Sequence, residues 1–115
     1  MLNLLRFRDI ADYSNHTSIA PESPISGREA FDLYISHTLP FLKQSGGKIL
    51  FLGESWEFFI GPTDETWDFM MLIRQNSLTD FLNFAKNEEY LKGIGHREAA
   101  IIDSRLLPVV ESQNY

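Results

Sequence analysis

The stretch "TWDFMMLIRQ" (66–75) reads as a strand that is apolar on both sides. Trp67, Phe69, Met71 and Ile73 alternate to one face, Met70 and Leu72 to the other. The stretch before it, "KILFLGESWEFFI" (48–60), behaves alike: Leu50, Leu52, Trp56, Phe58 and Ile60 alternate with Ile49, Phe51 and Phe59. An antiparallel strand covered on one face only should carry polar residues on the other. These two strands require burial front and back.

The rest of the chain supplies helices for only one of those faces. "MLNLLRF" (1–7) reads as a first strand, and residues 9–25, rich in Asp, Asn, Ser and Pro, as a long loop. Ser26 and Glu29 have the spacing of a capping box, in which each side chain satisfies a backbone N–H of the first turn. Phe31, Tyr34, Ile35, Thr38 and Leu42 follow on one helical face. Pro40 predicts a kink or an early end near Leu39, and Gly46-Gly47 stops the element. The strand 48–60, bending at Gly53, connects through "GPTDE" (61–65) to the strand 66–75. Ser77 and Asp80 open a second helix with Leu78, Phe81, Leu82 and Ala85 on its buried side. "EEYLKGIG" makes a short turn or an extra helical turn, and a last strand spans about 99–110. The order β-α-β-β-α-β with a central hairpin predicts an α+β, ferredoxin-like fold: one domain over 1–115, a four-stranded antiparallel sheet ordered 4-1-3-2, and both helices on one face.

The uncovered face of such a sheet exceeds the few hundred Å² of apolar patch that a monomer tolerates. A second copy related by two-fold symmetry is the expected cover, which predicts a sheet-on-sheet homodimer. The competing expectation is that the loop 9–25 folds over the bare side.

Composition narrows the function classes. The 115 residues include nine Phe and two Trp, enough for a core without staples, and no Cys, which removes thiolate nucleophiles and Cys-based metal sites. A net charge of −6 with no Lys/Arg cluster argues against nucleic acid and against an anionic membrane surface. No apolar run is long enough to span a bilayer, and "MLNLLRFRD" is too short in its apolar part for a secretory signal; a cytoplasmic protein is expected. His16, His37 and His96 are scattered without metal-binding spacing, so neither a metal nor a cofactor is expected.

Four stretches, "MLNLLRF", "SGREAFDLY", "GPTDETWD" and "HREAAIIDSRL", resemble in order and spacing the family called domain of unknown function 1330, within the dimeric α-β barrel superfamily. The resemblance covers nearly the whole chain, and "HREAAIIDSRL" is its most specific piece. It implies the ferredoxin-like fold and a two-fold dimer. The superfamily includes cofactor-independent oxygenases, decyclases and dechlorinating enzymes, but this family carries no settled reaction, so the resemblance implies no mechanism. Its members have residues ahead of the first strand, whereas Met1 here lies within it.

The polar candidate site residues come from the first and last strands and the residues leading into the last. Histidine suits acid–base work near neutral pH, which makes His96 the candidate catalytic residue against a plain hydrogen-bonded role. Arg97 offers a planar fork for a carboxylate or phosphate, against an ordinary ion pair with Glu98. Asp103 and Arg105 share a strand face and are read as a structural ion pair that organises the sheet or fixes a dimer register. Ser104 points the other way and suits a hydrogen bond to a ligand. Asn3, expected near Ser104 or Arg105, completes with Arg97 and Ser104 a polar cluster, and Trp56, Trp67 and Tyr34 are candidates for its apolar wall. Glu54 and Glu57, flanking the Gly53 bend, are read as solvated rather than as general bases. The leading expectation is a cleft for a small, partly apolar anion. The alternatives are a cofactor-independent oxygenase or isomerase using His96, and a purely structural dimeric module.

Overall fold

The computed structural model describes residues 1–113. Its elements run β1 (Leu2–Phe7), α1 (Gly27–Gln44), β2 (Lys48–Glu54), β3 (Phe69–Arg74), α2 (Leu78–Ala85), α3 (Glu88–Leu91), α4 (Ile94–Ala100) and β4 (Ile101–Leu107). The four strands form one antiparallel sheet in the order β2-β3-β1-β4, the ferredoxin-like arrangement read from the sequence. Asn3 pairs with Met71 and Leu5 with Phe69, so these alternate residues share the face that the helices cover. Leu5, Phe69 and Met71 meet Ala30, Phe31, Tyr34, Tyr90 and Ala100 there, and this is the core.

The first helix starts as its capping box requires. Glu29 N–H donates to Ser26 Oγ at 3.0 Å, and Ser26 N–H to Glu29 Oε1 at 3.2 Å. It does not end at Pro40 but runs on to Gln44. Pro40 and Ser36 both lie on the exposed side, so the carbonyl that proline leaves unpaired faces water and one lost hydrogen bond is tolerated. Gly46, at φ 82°, then turns the chain out of the helix.

Strand boundaries differ from the sequence reading, and the last strand, expected to reach about 110, ends at Leu107. The strand expected over 48–60 stops at Glu54, and the one expected from 66 starts at Phe69. The last bond between the two arms joins Ser55 N–H to Asp68 O at 3.0 Å. Beyond it only two strands would remain, and a bare two-stranded ribbon is marginal in water. Within β2 the register slips between Ile49 and Phe51, so Ile49 and Leu52 pair with Ile73 and Met71, while Phe51 pairs with Leu72. The single alternation read across 48–60 changes phase at this bulge. Finally, residues 94–100, partly assigned to the last strand, form α4. Ala99 and Ala100 are 0 % exposed, and a helical turn of small residues lets α4 pack tightly beside α1.

The loop 8–25 lies on the helical side of the molecule, not over the bare sheet. Asp12 N–H donates to Ala99 O at 2.9 Å, Tyr13 Oη meets His96 Nδ1 at 2.6 Å, and His16 pairs with Glu98. A Cβ on Gly95 would stand 2.7 Å from the His16 ring and from Ile19, so glycine there is what lets the loop close on α4. Burial pushes the Tyr13 hydroxyl above its usual range, so it stays protonated beside His96 Nδ1. Burial, with His37 acting in the same direction, pulls the His96 pKa below the ordinary histidine value.

The other sheet face stays open. Leu2 and Leu4 of β1 pair with Leu72 and Met70 of β3, and Phe51 with Leu72, giving an apolar band. Arg6 opposes Asp103, and Leu4 opposes Arg105, so the charged positions of β4 lie on this face too. Arg105 Nη1 donates to Asp103 Oδ1 at 2.6 Å, and its guanidinium lies 5.0 Å above the Trp67 ring. The backbone spans 51 × 38 × 17 Å, the thickness of one sheet and one helical layer. The accessible surface is 8117 Å² for a 13.3 kDa chain, against about 6,450 Å² for a monomer of this mass, an excess of about 1,700 Å².

Two outcomes follow for stability. A Cβ at Gly27 would sit 2.2 Å from Arg8 O and 2.7 Å from Ala100 O, where the exit of β1, the start of α1 and the end of α4 converge. Gly27→Ala should cost about 2–3 kcal/mol, more than the roughly 1 kcal/mol of Ser26→Ala, and thermal melts of both variants will rank them. His96 titrates with the opposite sign to an ion-paired histidine. Its folded pKa is lowered, so the unfolded chain takes up the proton first and stability falls as pH drops through the usual histidine range near 6.5. Urea unfolding between pH 7.5 and 5 should be flatter in His96→Gln than in wild type.

Candidate functional site

A cavity of about 280 Å³ lies between the sheet and the helical layer, at the end of the sheet where β1 begins and β3 ends. Its floor is the covered sheet face: Asn3 of β1, Ile49 of β2, Met71 and Ile73 of β3, and Leu106 of β4. Its roof comes from α1, where Tyr34, Thr38 and Leu42 recur every four residues on one side, and from Phe81, Phe84, Tyr90, Ile94 and Arg97. Gln75, just past β3, keeps the parity of Met71 and Ile73 and also lines it.

The polar groups of this mainly apolar chamber are few. Tyr34 and Tyr90 join their hydroxyls at 2.7 Å, and both are buried. Burial, and then the neighbouring Tyr34, push the Tyr90 hydroxyl far above the ordinary tyrosine range, with Arg97 opposing. Tyr90 therefore stays neutral and can donate at any working pH. Asn3, 8 % exposed, makes one long contact, from Nδ2 to Met1 O at 3.5 Å. Thr38 Oγ1 and Gln75 Oε1 are buried with no hydrogen-bond partner among the described residues. A buried polar atom left so costs about 1–3 kcal/mol, and a ligand or ordered water in the chamber would relieve it.

Arg97 stands out among the charges. Glu98, its expected partner, is taken by His16, and among the described residues Arg97 takes part in no ion pair and no side-chain hydrogen bond. A half-buried guanidinium lining an apolar chamber without a carboxylate is a receptor for an anion.

The structure thus brings together Asn3, Tyr34 and Arg97 of the expected cluster. Asn3 pairs with Leu106 rather than with Ser104, which lies opposite Leu5 and outside the chamber lining. Trp67 is buried elsewhere, its indole N–H donating to Glu65 Oε2 at 2.9 Å. Trp56 is 89 % exposed in the segment between β2 and β3. His96 sits on α4 beside Arg97 but faces the loop and Tyr13. Asp103 and Arg105 pair with each other on the open face, and the Arg105 hydrogen bond holds the Asp103 carboxyl below its usual range. Thr38, Gln75 and Tyr90 were not singled out from sequence. Thr38 was visible as a member of the α1 face, Gln75 by its parity with Met71 and Ile73, and Tyr90 gave no signal in a stretch read as a turn.

No family model and no curated protein matches the chain. Solved structures do. The crystal structure of methylated RPA0582 protein is 30% identical and superposes with a TM-score of 0.85, over 98% of this chain and 79% of that one. A crystal structure of RPA0582, a protein of unknown function from Rhodopseudomonas palustris, is 31% identical with a TM-score of 0.78, over 96% and 81% of the respective chains. With the fold, the strand order and this level of identity in agreement over most of both chains, the protein belongs to the same family as RPA0582.

Proposed function

We propose that this chain is a cytoplasmic, homodimeric binding protein for a small, largely apolar anion, and a member of the domain of unknown function 1330 family. The unpaired Arg97 guanidinium on an apolar chamber carries the binding reading. Arg97 takes the anionic group; Asn3, Thr38, Gln75 and the Tyr34–Tyr90 pair orient its polar edge; Met71, Ile73, Phe81 and Phe84 enclose its body. A dry cavity of about 150 Å³ holds one benzene, so 280 Å³ suits a fused two-ring or short-chain aryl carboxylate.

Acid–base catalysis is the weaker reading. His96 has its Nδ1 engaged by Tyr13 and is not among the residues lining the chamber, so a bound substrate would have to displace the loop to reach it. Ser104, opposite Leu5, would join the ligand only by extension toward the Arg6 end of β4, and Trp67 and Trp56 are not among the residues lining the chamber.

The dimer reading rests on area. A standard interface takes about 800 Å² from each partner and obligate dimers take more, so an excess of about 1,700 Å² over the monomer expectation matches an obligate pair. The apolar band of Leu2, Leu4, Met70 and Leu72 supplies the contact. Arg6, Asp103 and Arg105 at its β4 end would set the register, because a displaced pairing leaves their charges buried and unmatched.

Two measurements test these readings. Calorimetric titration with 2-naphthoate should show saturable binding, lost about tenfold or more in Arg97→Met, the worth of a charge-assisted hydrogen bond. The neutral 2-naphthalenemethanol should bind wild type as weakly as 2-naphthoate binds the variant; equal binding of acid and alcohol rules out Arg97 as the anchor. Light scattering should give twice the 13.3 kDa chain mass for wild type and the single mass for Leu72→Glu. A wild type that stays at the single mass at millimolar concentration overturns the dimer.

A further inference from the structure

The segment between β2 and β3 leaves the body of the protein with its apolar side chains outermost. Trp56 is 89 %, Phe59 105 % and Ile60 95 % exposed, and Phe58 is 43 % exposed. A single bond between Ser55 N–H and Asp68 O closes its base. Scattered apolar residues are ordinary on a surface, but adjacent ones of this size are not. The radius of gyration, 15.2 Å, exceeds the roughly 13.3 Å of a compact 115-residue domain, and both this segment and the exposed residues 108–113 add to it.

We propose that residues 56–60 form an exchanged arm, by which each copy lays Trp56, Phe59 and Ile60 across the open sheet face of its partner. The proposal rests on the homodimer reading above and adds the element that locks it. The area argues for a second copy as the occupant: the excess of about 1,700 Å² is about twice what one partner contributes to a standard interface, enough to cover both the sheet face and the arm. Continuity argues the same way, since Phe51, on the open face of β2 and 53 % exposed, leads directly into the arm. Charge completes the match. The arm carries Glu57, exposed, whereas the open face carries Arg6, Asp103 and Arg105, one positive charge in excess, with Arg6 Nε buried and lacking a hydrogen-bond partner among the described residues. Two-fold symmetry makes the exchange reciprocal, so Glu57 of each copy reaches the partner's Arg6.

Acrylamide quenching of tryptophan fluorescence reads the arm in the intact protein. The chain has two tryptophans, and Trp67 is 5 % exposed in the isolated copy, so the quenchable emission reports Trp56. The dimer should resist quenching, and Leu72→Glu or dilution to the monomer should expose one tryptophan to it. The double variant Phe59→Ser/Ile60→Ser should raise the dimer dissociation constant at least tenfold with an unchanged circular dichroism spectrum. Glu57→Arg should weaken the dimer, and adding Arg6→Glu should restore it. A dimer whose Trp56 is quenched as freely as in the monomer overturns the arm while leaving the sheet-face dimer standing. So does failure of Arg6→Glu to rescue Glu57→Arg. Absence of any dimer by light scattering overturns both.

Discussion

One helical layer laid over a sheet that is apolar on both faces is the constraint from which the rest of this structure follows. The covered face is satisfied by aromatic packing: Phe7, Phe31 and Phe69 stack on one another with ring centroids 5.3 to 6.3 Å apart, and Arg28 closes the edge 4.4 Å over Phe69. That packing is dense at the end of the sheet where β1 leaves it. At the opposite end the helices stand away from the strands, and the chamber opens there. Core and cavity are thus two ends of one interface, and rigidity at the first preserves the shape of the second.

The cavity owes its polar character to where α4 begins. Had residues 94–100 continued as strand, His96 and Arg97 would alternate across the sheet, one to each face. As a helix, the two are about 100° apart around one short cylinder, so one can serve the loop and the other the chamber. His96 has its Nδ1 beside the Tyr13 hydroxyl, while Arg97 takes part in no ion pair among the described residues. An unpaired guanidinium beside an apolar chamber gives up no existing partner when a ligand anion binds.

The fold was legible in the sequence because its signals are local. The capping box at Ser26 and Glu29, the stop at Gly46-Gly47 and the two-sided strand 66–75 each depend on a few neighbouring residues. The boundaries were harder. Whether "AAII" ends a helix or starts a strand depends on Ala99 and Ala100 packing against α1, and whether 55–60 pairs depends on how far β3 extends. The bulge at Leu50 is a matter of register that alternation alone does not show. Of the site, Asn3, Tyr34 and Arg97 could be brought together from strand order and helix period. Tyr90 could not, because its role depends on a hydroxyl contact with Tyr34 across 56 residues of chain.

The glycines of α4 tie the loop to the chamber. A Cβ at Gly93 would stand 2.2 Å from the His37 ring, and one at Gly95 would strike His16 and Ile19. Close approach at both positions presses α4 between α1 and the loop 8–25, with His37 Nε2 meeting the carbonyls of Glu89 and Tyr90 at 2.8 and 3.1 Å. The same contacts fix the path of α3, and therefore the Tyr90 hydroxyl that faces Tyr34. A long loop with no strand or helix of its own beyond the turn at Thr17–Ile19 would ordinarily be a loose appendage. Here it is a brace: by gripping one side of α4 it sets the rotation of that helix, and that rotation decides that Arg97 turns inward to the chamber and not outward to water.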